Sequence, residues 1–108
     1  VDASHLKKIL QRDILYLYAM KTVRLKIAGK VQGVFYRASA KEVADRYQLS
    51  GWIRNALDDT VEAMVTGEEL HIEKFVEWCR QGPKKAIVTN VEIINESLHF
   101  FETFDIIR

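Results

Sequence analysis

Residues 23–47, VRLKIAGKVQGVFYRASAKEVADRY, set out a strand, a glycine loop and a helix in immediate succession. Val23, Leu25 and Ile27 alternate with Arg24 and Lys26, the two-residue period of a strand with one buried face. Ala40, Val43, Ala44 and Tyr47 then recur at i, i+3, i+4 and i+7, the apolar stripe of a helix over 38–47, with Ser50-Gly51 marking its exit. Between the two, Gly29-Lys30-Val31-Gln32-Gly33-Val34-Phe35-Tyr36-Arg37 runs straight into an arginine at the helix start. Glycines permit the positive φ values that turn successive N–H groups toward one point, and a helix N-terminus adds the positive end of its dipole. A cation in the first helical turn is unfavourable unless an anion sits beside it, so Arg37 points to an anion-binding loop. On spacing alone, a glycine-containing turn followed by a solvated arginine is the commoner reading.

Outward from that stretch the same two periods continue. Trp52 to Asn55 forms a short second strand, residues 56–60 a turn, and Val61, Ala63 and Val65 the buried face of a third strand in a hairpin with the second. Thr66 with Glu69 three residues on fits a capping box opening a second helix. Ile72, Phe75, Val76 and Cys79 trace its apolar stripe, and Gly82-Pro83 stops it. Ile87, Thr89, Val91 and Ile93 alternate as a fourth strand, and residues 101–107 hold a last short one with Phe104 and Ile106 on its buried side. The order βαββαβ with a terminal strand predicts an α+β, ferredoxin-like sandwich: an antiparallel sheet with two helices on one face. Many functions share that fold, so it selects none.

At 108 residues the chain has room for one core. Residues 22–108 are expected to form that domain. Residues 1–21 read as an N-terminal extension, either an amphipathic helix built on Leu6, Ile9, Leu10, Ile14 and Leu17 or a leader. Sixteen Lys and Arg against fifteen Asp and Glu leave a net charge of +1, which calls for neither a nucleic acid nor a membrane surface as partner. The longest apolar run, Ile14 to Met20, is too short to span a bilayer. Cys79 is the single cysteine, which excludes an intramolecular disulfide and fits a reducing compartment, so a cytoplasmic location is expected. Its place in a helical stripe makes it core filler. His5, His71 and His99 are scattered, with no spacing for a zinc site or a thiol base.

Asn55 closes the second strand immediately before the turn, and alternation sets it on the same face as Ile53. An asparagine there commonly satisfies its own backbone. Beside an anion-binding loop it becomes a candidate for holding a water molecule. Taken together, Gly29 to Arg37 resembles the acylphosphatase signature GxVQGVxxR, and Gly51-Trp52-Ile53-Arg54-Asn55 resembles the second signature of that family. The likeness runs from near Lys21 to Arg108 and departs at one point, where Asp59 occupies a turn position commonly held by glycine.

The resemblance implies hydrolysis of a small acyl phosphate to carboxylate and inorganic phosphate. Phosphate would be bound by the backbone of Val31, Gln32, Gly33, Val34, Phe35 and Tyr36 together with Arg37. Arg37 and Asn55 would be the catalytic pair, Asn55 orienting the attacking water. Neither metal nor cofactor is implied, and a monomer is favoured. Two readings of another class stand beside it: a phosphate-binding module without turnover, and an RNA-binding module of the same fold. The second lacks the RNP1 pattern, since strand three, Val61-Glu62-Ala63-Met64-Val65, carries no aromatic residue.

Overall fold

The computed structural model of the chain describes Ile14 and residues 18–108. Apart from Ile14, the apolar stripe expected of the N-terminal extension lies outside the described residues. The elements run β1 (Met20–Lys30), α1 (Tyr36–Arg46), β2 (Ser50–Asn55), β3 (Val61–Glu68), α2 (Glu69–Gln81), β4 (Ile87–Glu96) and β5 (Phe104–Ile106). They form a five-stranded sheet in the order β4-β1-β3-β2-β5. Neighbours are antiparallel in the first four strands, whereas β5 joins the edge parallel to β2, with Gly51, Trp52 and Ile53 opposite Phe104, Asp105 and Ile106. The sheet is therefore mixed, and otherwise the ferredoxin-like plan holds.

Strand alternation sends Val23, Leu25 and Ile27 of β1, Ile53 of β2 and Val61, Ala63 and Val65 of β3 to the helix-covered face. They meet Ala40, Val43 and Ala44 of α1 and Ile72, Phe75, Val76 and Cys79 of α2, all buried. Removing each larger side chain from water stabilises the fold by about 1.5–3 kcal/mol. The opposite face is charged. Arg24 pairs with Glu62 at 2.5 Å and Glu96 at 3.2 Å, Arg54 reaches Glu62 at 3.3 Å, and both guanidinium groups lie over the Trp52 ring, at 5.1 Å for Arg54 and 5.9 Å for Arg24. That ring is capped by paired cations and is not a free stacking platform.

Two local expectations are corrected. Thr66 is no helix cap: β3 extends through Glu68, and α2 starts at Glu69 without a side-chain cap. The Thr66 hydroxyl is instead buried against its cross-strand partner Thr22, 2.6 Å away, and donates to the His99 carbonyl at 2.7 Å. Nor does Ser50-Gly51 end α1. The helix stops at Arg46, and Gln48 takes the left-handed conformation at φ 57°, while Ser50 and Gly51 already belong to β2. A side chain took the place usually given to glycine because the Leu49 N–H is then satisfied by the Ala44 carbonyl at 2.9 Å.

Candidate active site

β1 loses its regular register at Ala28 and Gly29, where a bulge against β4 turns the chain out of the sheet. Gly29 has φ 126°, and any Cβ there would overlap the Ile87 carbonyl, so only glycine lets the two strands approach. The loop that follows is held by side chains pointing inward: Val31, Val34 and Tyr36 are buried, while Gly33 and Phe35 are exposed. Two residues of the loop are left-handed, Gly33 at φ 73° and Phe35 at φ 63°. For phenylalanine that conformation costs on the order of 1 kcal/mol. Phe35 is also the residue immediately before α1, and its carbonyl accepts the Ser39 N–H at 3.1 Å, starting the helix.

Tyr36 anchors the helix start. Its hydroxyl donates to the Cys79 carbonyl of α2 at 2.7 Å and its ring packs on Trp78, with centroids 5.3 Å apart. Burial pushes its phenol well above the ordinary tyrosine range, and burial likewise pushes the Cys79 thiol up to about 12, so neither group ionises near neutrality. Arg37 follows, half-buried, and among the described residues it makes no ion pair. No acidic residue occupies the first turn of α1, so no side chain of that turn neutralises its positive end.

Five of the residues expected to bind phosphate, Val31, Gly33, Phe35, Tyr36 and Arg37, line one concavity of about 340 Å³, which Ile106 and Arg108 of the C-terminal segment complete. Gln32 and Val34 do not line it. Val34 is turned into the core. Gln32 does something the sequence reading did not assign: its side-chain amide donates two hydrogen bonds of 2.9 Å, to the carbonyls of Ala56 and Thr60. Those carbonyls belong to the turn between β2 and β3, itself closed by the Ala56 N–H donating to the Thr60 carbonyl at 2.8 Å. One side chain thus ties the loop to the residue directly after Asn55.

Asn55 ends β2 opposite Val61, exposed, and lines a neighbouring concavity with Arg54, Ala56, Leu57 and Asp58. The turn beyond it is rigidly held. Asp58 accepts hydrogen bonds from the Thr60 hydroxyl at 2.5 Å and the Thr60 N–H at 3.3 Å, and pairs with Lys26 at 2.8 Å. Lys26 first, then Thr60, holds the Asp58 carboxyl well below the usual carboxylate range, and Asp58 in turn raises Lys26. Asp59 adopts φ 68°, the left-handed conformation that aspartate tolerates better than most side chains. Among the described residues no three His, Cys, Asp or Glu side chains converge as a metal site would need, and no helix is long and apolar enough to cross a membrane.

Comparison with known proteins gives a consistent result. The acylphosphatase family model matches residues 23–106. A curated acylphosphatase from Acaryochloris marina is 48% identical over 82 residues, spanning 76% of this chain and 88% of that one. A second, from Albidiferax ferrireducens, is 53% identical over 72 residues, or 67% and 78% of the two chains. Among solved structures, an acylphosphatase from Coxiella burnetii aligns with a TM-score of 0.81 at 32% identity, covering 84% of this chain and 96% of its own.

Proposed function

We infer the chemistry of this chain from the premise that it belongs to the acylphosphatase family: it is an acylphosphatase (EC 3.6.1.7), hydrolysing the carboxyl–phosphate bond of an acyl phosphate. The phosphoryl group sits on the loop backbone between Val31 and Tyr36, at the positive end of α1, with Arg37 against its equatorial oxygens. The observation that carries this assignment is the half-buried Arg37, without an ion pair among the described residues, in a first turn of α1 that holds no acidic residue, on a loop fastened by Gln32 to the turn beside Asn55. An anion is what that electrostatic arrangement lacks.

The Asn55 amide orients a water for in-line attack on phosphorus. As oxygen bonds to phosphorus, the bond from phosphorus to the carboxyl oxygen breaks, and the electron pair leaves with the carboxylate. An amide does not take up a proton at neutral pH, so the water proton passes to a phosphoryl oxygen of the substrate. The leaving group is the conjugate base of an acid with a pKa of about 4, so it departs without a general acid. What remains for the protein is positioning and electrostatic stabilisation, which Arg37 and the loop N–H groups supply without a metal. The same reading places the enzyme in the cytoplasm as a monomer.

Acetyl phosphate hydrolysis, measured with and without a chelator, tests this assignment. Activity should survive the chelator, and Arg37→Gln should lower kcat/KM by on the order of 10³ with the fold retained. Full activity in Arg37→Gln, or chelator-sensitive activity in the parent, would overturn it.

A further inference from the structure

A water held by Asn55 must keep a fixed place relative to a phosphate on the loop, yet the sheet does not join the two segments directly. Asn55 closes β2, the loop leaves β1, and β3 lies between those strands. The ladders that β3 makes with β1 and with β2 both end at Val61, which stands opposite Ile27 on one side and Asn55 on the other. Among the described residues, the turn at 56–60 is hydrogen-bonded or ion-paired to β1 and its loop through two side chains only. Gln32 grips its carbonyls from the loop. Lys26 reaches it from the strand, pairing with Asp58 at 2.8 Å.

The partner of Lys26 is not its nearest neighbour in the ladders. Lys26 stands opposite Glu62 in β3 and Glu92 in β4, but Glu62 is taken by Arg24 and Arg54, and the ion pair of Lys26 goes past β3 to the turn. Asp58 also accepts from the Thr60 hydroxyl and N–H, so Lys26 holds the turn at a residue already tied to its far end. Asp58 lines the same concavity as Asn55. Both partners of the pair are about half exposed, and an exposed ion pair adds little to stability. What this one supplies is a position.

We propose that Lys26 is a positioning residue for the attacking water: ion-paired to Asp58, it holds the turn, and with it the Asn55 amide, in register with the phosphate loop. This rests on the assignment of Asn55 above. Lys26 itself lines neither concavity, so it acts through Asp58 and Asn55.

The test is Lys26→Met, which keeps the length of the side chain and removes its charge, assayed for kcat with acetyl phosphate beside the inhibition constant of inorganic phosphate. Turnover should fall about tenfold, less than the roughly 10²-fold that a misplacement of about 1 Å can cost, because Gln32 still holds the turn. Phosphate inhibition should be unchanged, and Lys26→Arg should restore kcat. Added to Asn55→Ala, Lys26→Met should lower kcat no further, since a residue acting only through Asn55 then has nothing left to position. Parental kcat in Lys26→Met, phosphate inhibition weakened in step with kcat, or an equal loss in the Asn55→Ala background overturns the positioning role while leaving the hydrolytic assignment intact. Parental turnover in Asn55→Ala overturns the water assignment and the positioning role together.

Discussion

Gln32→Met isolates the link between the two halves of the site. Methionine keeps the length of the side chain and removes both donors, so the carbonyls of Ala56 and Thr60 each lose a hydrogen bond of 2.9 Å. A net hydrogen bond contributes about 0.5–1.5 kcal/mol. Thr60 keeps its bond from the Ala56 N–H, and Gln32 is half-buried, so water replaces part of what is lost. A loss of about 1–2 kcal/mol follows, lowering Tm by on the order of 5–10 °C in a domain of this size. Activity should suffer more than stability. Once the loop and the turn move independently, Asn55 no longer holds a fixed place relative to the phosphate, and a misplacement of about 1 Å can cost on the order of 10²-fold. Urea unfolding and acyl phosphate kinetics on the same preparation read both effects: kcat should fall by ten- to a hundredfold (about 10–10²) while competitive inhibition by inorganic phosphate weakens much less. Gln32→Glu should be worse on both counts, because a carboxylate would face two carbonyl oxygens. A Gln32→Met protein with parental stability and parental kcat would refute the reasoning.

The ion pair at the turn predicts a pH dependence. Asp58 has its folded-state pKa depressed by Lys26 and Thr60, so its contribution is present above the ordinary aspartate value near 3.8 and fades as pH falls below it. Lys26 is raised by Asp58, so its share is complete below the ordinary lysine value near 10.5 and lost as pH rises past it. Urea midpoints of the parent and Asp58→Asn should therefore differ at neutral pH, with the difference shrinking as pH falls below the ordinary aspartate value and vanishing only below the depressed folded-state value. Cys79, buried with its thiol pushed up to about 12, should resist a thiol reagent at pH 8 in the native protein and react fully once unfolded.

The long periodic segments were legible because burial alone decides them. The stripe of Ile72, Phe75, Val76 and Cys79 is the buried face of α2, and the alternation of Val23, Leu25 and Ile27 is the buried face of β1. Where a residue answers to a distant partner, local pattern misleads. Thr66 looks like a cap, yet its hydroxyl answers to Thr22, forty-four positions earlier, and to the carbonyl of His99, thirty-three later. The parallel pairing of β5 with β2 likewise depends on contacts such as the Gly51 N–H donating to the Thr103 carbonyl, which no short window contains. At the site, the course of the loop into α1 and the place of Asn55 at the end of β2 were readable from glycine spacing and strand alternation. The role of the Gln32 side chain was not, because its partners are backbone carbonyls, which every residue carries. Nor could spacing reveal that Asn55 and Arg37 line separate concavities.

The division of labour between Arg37 and Asn55 is tested most directly in Asn55→Ala, by measuring kcat for acyl phosphate hydrolysis beside the inhibition constant of inorganic phosphate. The loop and Arg37 are untouched in that variant, so phosphate should inhibit it as it does the parent, within about twofold, while kcat falls by on the order of 10²–10³ as the water loses its orientation. Parental turnover in Asn55→Ala, or phosphate inhibition lost along with kcat, would contradict the assignment of the water to Asn55 and of the anion to the loop.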